Sequence, residues 1–161
     1  MNWQPLFHMQ QELDNYIVAQ HQLENEQVFD KKILALLVEV GELANETRCF
    51  KYWSLKPASP NDVIAEEYVD GIHFILSLGL ELGLDDFKSQ DRTTEKDLSS
   101  LFNDVFEKIT TLKNERTIEA YKELFQTYLL LGNAIGFSAD DMKDAYLDKN
   151  KVNYDRQNHG Y

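Results

Sequence analysis

The sequence predicts an all-α fold: a helical bundle of about six helices, organised as one domain over residues 1–161. Three observations carry this prediction. Only 3 prolines and 7 glycines interrupt the chain. Most stretches repeat apolar residues at helical spacing, and the alternation of a half-buried strand is scarce. Residues that start and stop helices fall between the periodic stretches. A chain of this length suits one compact domain, and about 150 residues can bury roughly two-thirds of their unfolded surface. No internal repeat, linker or low-complexity tract divides it.

The first helix is expected from near Trp3 to near Gln22, with Leu6, Leu13 and Ile17 on one stripe. The second runs from about Asp30 to about Cys49, with Ile33, Leu37, Val40 and Ala44 inward. A loop from Phe50 to Ser59 holds Tyr52, Trp53 and Pro57. Ser59-Pro60 is a good helix start, a capping hydroxyl followed by proline in the first turn. The third helix continues to about Leu82, where Gly83 can end it. Asp85 to Glu95 reads as a polar connection. The fourth helix covers about Lys96 to Leu112, and the fifth about Glu115 to Ile135, stopped near Gly136. Ser138 with Asp141 resembles a capping pair for a sixth, strongly polar helix.

Asp and Glu number 28 against 16 Lys and Arg, a formal net charge of −12. This balance argues against a general nucleic-acid binder or a binder of anionic membranes. A hydrophobic share of 43% is too rich for a disordered chain. Cys49 is the only cysteine, so no intrachain disulfide can form. No apolar run reaches the roughly 18 residues of a membrane span. The start, MNWQPLFHMQQELD, lacks the basic and apolar regions of a signal peptide, so the expected location is cytoplasmic.

Two acid pairs stand out. Glu39 and Glu42 lie three apart on the second helix, and Glu67 and Asp70 three apart on the third, so each pair shares a helix face. Glu39 falls angularly between Leu36 and Leu43, and Glu67 lines up with Val63 and Phe74. The acids therefore border the apolar stripes. Burying unpaired carboxylates is costly, and gathering four raises their proton affinity. Divalent cations remove both penalties, and an oxygen-only set suits a hard ion such as Mg2+. The alternative is ordinary surface acids in an acid-rich protein. Glu46, one turn beyond Glu42, either joins the cluster or solvates the helix end, while Glu66 is expected outward.

Asp70 and His73 form the one acid-x-x-His pair, where a di-iron bundle uses two. A hydrogen-bonded core histidine is the simpler reading of His73. Phe50, Tyr52 and Trp53 either stack on a flat base or cap the bundle end. Gln10 interrupts the stripe Leu6-Gln10-Leu13-Ile17, and an inward amide needs partners: the edge of a base or a neighbouring backbone. Asp14 borders the same face. Near the C-terminus, Tyr146, Lys149/Asn150, Asn153 and Arg156/Gln157 form one donor-rich row in helical register. Such a row suits phosphate oxygens; the alternative is a solvated, fraying end.

Glu39-x-x-Glu42 followed by Glu67-x-x-Asp70 resembles the signature of the all-α nucleoside triphosphate pyrophosphohydrolases, which include MazG-like enzymes and the dimeric dUTPases. Glu42-Leu-Ala-Asn-Glu46, the aromatic run ending in Trp53, Asp70-Gly-Ile-His-Phe74 and Lys149-Asn-x-x-Asn153-x-x-Arg156-Gln157-x-x-Gly160-Tyr161 resemble the dimeric dUTPases specifically. Met9-Gln10-x-x-Leu13-Asp14 also fits, although some relatives have Asn at position 14. The resemblance implies Mg2+-dependent hydrolysis of dUTP, and often dUDP, to dUMP by a homodimer. It implies that Glu39, Glu42, Glu67 and Asp70 hold the metal, with Glu42 also orienting or deprotonating the attacking water. Gln10 and Trp53 would contact uracil, His73 and Phe74 would lie near the nucleoside, and Lys149, Asn153 and Arg156 would hold the phosphates. Two other readings remain open from the residues alone: a related pyrophosphohydrolase acting on another nucleotide, and a non-enzymatic helical interaction protein. Leu101, Phe102, Phe106, Leu124, Phe125, Leu129 and Leu130 supply apolar surface for a core, a dimer interface or both.

Overall fold

Residues 1–161 are described by a computed structural model. Six helices follow one another: α1 (Gln4–His21), α2 (Phe29–Thr47), α3 (Asn61–Glu81), α4 (Leu98–Glu115), α5 (Ile118–Ile135) and α6 (Ala139–Asn158). There are no strands. The expected all-α bundle of six helices is what forms.

Local chemistry sets most of the ends. Asp97 caps α4 by accepting from Ser100 N (2.8 Å), and Thr117 caps α5 by accepting from Ala120 N (3.2 Å). Ser138 and Asp141 form the expected reciprocal capping pair at α6. Gly136 ends α5 at φ +118°, a conformation that costs glycine little. Two expectations are corrected. The Ser59 hydroxyl does not cap α3; it donates to the Glu46 carboxylate, and Pro60 takes the cap position without a side-chain bond. The α4–α5 break lies at Arg116-Thr117, not before Glu115. Arg116 turns left-handed and Thr117 supplies the cap.

Helix α3 is the hub, packing against α1, α2, α5 and α6, while α4 packs on α2 and α5. Leu36, Val40 and Leu43 of α2 are fully buried, with Leu37 only partly so; the inward stripe is rotated slightly from the expected one. Tyr68 and Gly71 of α3 meet Tyr128 and Gly132 of α5. The two rings stack at 4.6 Å, Tyr68 Oη donates to Tyr128 O (3.0 Å), and Tyr128 Oη donates to Tyr68 O (2.7 Å). Each glycine admits the opposing tyrosine, because a Cβ at Gly71 would overlap the Tyr128 hydroxyl and one at Gly132 the Tyr68 hydroxyl. The polar connection after α3 is pinned at two points. Phe87 is buried and stacks on Phe125 (4.3 Å), and the Gln126 amide bonds both the N–H and the carbonyl of Gln90 (2.7 and 2.8 Å).

Leu101, Phe102, Leu124, Phe125 and Leu129 are consumed by the chain's own core, and Phe106 and Leu130 pack against it. Exposed large apolar side chains group instead on α2, at Leu34 and Val38, and in the loop after it, at Phe50, Tyr52, Trp53 and Leu55. No helix is long and apolar enough to cross a membrane.

Candidate active site

Crossing α2 over α3 brings Glu39, Glu67 and Asp70 together. One carboxylate oxygen from each lies within 4.8 Å of the others, and all three side chains are half-buried. The acids have buried neighbours on their own helices, Leu36 and Leu43 on α2 and Ile72 on α3, and are themselves only partly exposed. Burial, then repulsion from Asp70 and Glu42, pushes the Glu39 carboxyl up to about 7. Burial, then Glu42 and Asp70, pushes Glu67 up to about 7 as well. Burial also raises Asp70, against the pull of Lys149. Glu42 lies outside the trio, solvent-exposed at its edge, yet close enough to act on both neighbours. Glu46 is absent from the cluster; its side chain and its carbonyl hold Ser59.

The donor chemistry fits a hard divalent cation. The set is oxygen-only, anionic, partly desolvated, and no cationic side chain bonds Glu39 or Glu67. A divalent charge there would lower all three proton affinities together.

Two of the three, Glu39 and Asp70, line a cavity of about 350 Å³ walled by α1, α2, α3 and the end of α6. That volume lies within the range of small-molecule sites, about 300–1,000 Å³. Asn153, Arg156, Gln157 and Tyr161 form its C-terminal side. The guanidinium of Arg156 lies over the Tyr161 ring at 5.2 Å. α6 is tied to α1 by Tyr16, which donates to Asn158 Oδ1, and by His21 Nε2 with Gln157 Oε1 (2.8 Å). The donor-rich row is thus a docked helix and not a fraying end.

The cavity floor is a hydrogen-bonded network. Gln10, 4% exposed, donates from Nε2 to Asp14 Oδ1 (2.9 Å) and accepts at Oε1 from His73 Nδ1 (2.7 Å) and Tyr146 Oη (2.9 Å). Ser77 Oγ donates to Asp14 Oδ2 (2.6 Å), and Lys32 Nζ approaches the same oxygen at 3.9 Å. His73 stacks on Tyr146 (4.2 Å) and carries its proton on Nδ1, because the amide oxygen only accepts. Burial, with Lys149 nearby, holds its pKa down to about 3, so it is neutral. Its Nε2 is buried without a partner. His73 and Phe74 both line the cavity.

Two predicted residues stand apart. Trp53 is 64% exposed and does not line the cavity; it packs edge-on against Tyr52 (5.1 Å) and Phe50 (6.0 Å). The loop is held by backbone turns and by Arg48, which bonds Ser54 and Lys56, so the aromatic run projects outward. Lys149 is 7% exposed, but its ammonium bonds Glu66 (2.8 Å) and Asp70 (3.0 Å) and does not line the cavity. Sequence reasoning passed over Lys32 and Ser77. Both carried a signal: Lys32 is seven residues before Glu39, and Ser77 seven after Asp70, so each shares a face with a site acid.

The family model described as dUTPase matches residues 2–161. No curated protein matches the chain.

Proposed function

Because the chain belongs to the all-α dimeric dUTPase family, and is thereby a dUTP diphosphatase, we propose that it hydrolyses dUTP, and dUDP as well, with Mg2+ held by Glu39, Glu42, Glu67 and Asp70. One observation carries the metal reading: three half-buried carboxylates offer oxygens within 4.8 Å of one another, and two of them, Glu39 and Asp70, line a cavity that Arg156 and Asn153 also line.

Bound Mg2+ would supply charge neutralisation at the phosphates and a lowered barrier to deprotonating water. The chain's own residues do the rest. Glu42, at the exposed edge, accepts a proton from the water that attacks the β-phosphorus, releasing dUMP and pyrophosphate. Arg156 donates in-plane to phosphate oxygens, and Asn153 adds a neutral donor. These groups answer the difficulty of a −12 protein with an anionic substrate by placing local positive charge and donors where the phosphates would lie. Neutral His73, Gln10 and Phe74 present the nucleoside with an uncharged surface of fixed donors and acceptors. Lys149 would reach the phosphates only by leaving Glu66 and Asp70. Trp53 faces solvent, and to contact uracil the loop after α2 would have to fold inward.

Homodimerisation belongs to the same proposal. Leu34 and Val38, one turn apart on the outer face of α2, supply apolar surface that the chain itself leaves uncovered. The expected location is cytoplasmic.

The test is a nucleotide panel with metal control. Hydrolysis of dUTP and dUDP that exceeds that of dCTP and dGTP, stops with chelator and returns with Mg2+ is expected. Faster turnover of dCTP or dGTP would remove the uracil reading. Undiminished activity in chelator would remove the metal. Light scattering at low concentration tests the dimer; a fully active monomer would contradict it.

A further inference from the structure

Glu66 lies outside the four-acid signature, yet it is the closer of the two anchors of Lys149, at 2.8 Å against 3.0 Å for Asp70. Glu66 and Asp70 are one turn apart on α3, so their carboxylates flank the point where α6 delivers the ammonium. The Lys149 side chain is only 8% exposed, whereas that of Glu66 is 54% exposed. A buried ammonium cannot turn to bulk water, so its charge must be shared among the acceptors within reach.

Asp70 therefore has two claims on it. It is one of the three carboxylates gathered at the candidate cation site, and it is also a partner of Lys149. An arriving divalent ion must compete with the ammonium for Asp70 and is repelled by it.

We propose that Glu66 is a positioning residue that gives Lys149 a second carboxylate, so that Asp70 can be released to a divalent cation. This rests on the reading of the acid cluster as a cation site. With Glu66 present, Lys149 keeps a full-charge partner after Asp70 is taken. Without it, Asp70 is the one remaining carboxylate bonded to Lys149, and the pair tightens at the cation's expense.

The test is calorimetry of Mg2+ binding to the full chain without nucleotide, on wild type, Glu66→Gln, Lys149→Met and the double variant. Glu66→Gln is expected to weaken Mg2+ binding on the order of tenfold, the size typical of directly coupled sites. Lys149→Met is expected to strengthen it, and Glu66→Gln is expected to add little in that background. Glu66→Asp should restore most of the wild-type affinity. Equal weakening by Glu66→Gln in both backgrounds would reduce Glu66 to a distant charge and overturn the proposal, as would no weakening at all. Wild-type protein that binds no Mg2+ would instead overturn the cation reading beneath it.

Discussion

Helix α3 carries two polar insertions, one residue apart in register, with opposite electrostatic outcomes. Tyr68 and Gly71 turn toward α5, where two hydroxyls and two carbonyls exchange hydrogen bonds and the rings stack. Burial pushes both phenols well above their ordinary range, so they stay neutral donors. Glu67 and Asp70 turn toward α2 and α6. There Glu67 and Glu39 bond no cation, and Asp70 has Lys149 alone. The same helix thus presents a closed account on one face and an open one on the other. Satisfied buried polar groups fix packing; uncompensated charge in the same core is tolerated where a ligand completes it.

The largest expected effect falls on the open face. Glu42→Gln should lower dUTP turnover by about 10²–10⁴-fold, the range of a lost general base, with the thermal midpoint unchanged. Wild-type turnover in that variant would break the catalytic assignment. Next come changes on the closed face. Gly132→Ala drives a methyl into the Tyr68 hydroxyl and should destabilise by about 1–3 kcal/mol in a denaturant titration. Tyr128→Phe removes the side-chain donor that the Tyr68 carbonyl has in addition to its helical one and should cost about 0.5–1.5 kcal/mol. If either variant altered Mg2+ affinity while remaining folded, the separation of the two faces would be wrong.

The smallest effect sharpens the comparison through pH. The Glu67 carboxyl binds its proton more tightly folded, at about 7, than at its ordinary 4.5. Its stabilising contribution is full below about 4.5 and gone once pH rises through about 7. Metal-free wild type should therefore melt lower than Glu67→Gln at pH 8, and the difference should vanish near pH 4.5. Added Mg2+ should raise the wild-type midpoint most at the higher pH. A difference between the two proteins that is independent of pH would show that the acids are not electrostatically strained.

Much of this was legible in the chain, for a local reason. Helical spacing is set within a few residues, so Glu39/Glu42 and Glu67/Asp70 had to share faces, and Ser138 with Asp141 had to cap α6. Gln10 was visible as an amide within an apolar stripe, and it does lie buried among partners. Ser59 misled for an equally physical reason. It has the chemistry of a cap, but its hydroxyl turns to donate to the Glu46 carboxylate across the loop, and its oxygen accepts no N–H of α3. Glu66 is exposed, as its helical register implied, and what the sequence hid is that α6 brings Lys149 beside it.

Residue identity and spacing alone determined the all-α class, the six helices and the two acidic faces, because these depend on interactions within one or two turns. Only the packed tertiary structure decided that Glu39, Glu67 and Asp70 converge while Glu42 stays at the edge, that Lys149 divides its charge between Glu66 and Asp70, and that Trp53 faces solvent. Those outcomes depend on the rotation and offset of one helix against another, which the close Tyr68–Gly132 and Tyr128–Gly71 contacts help to set and no single helix encodes.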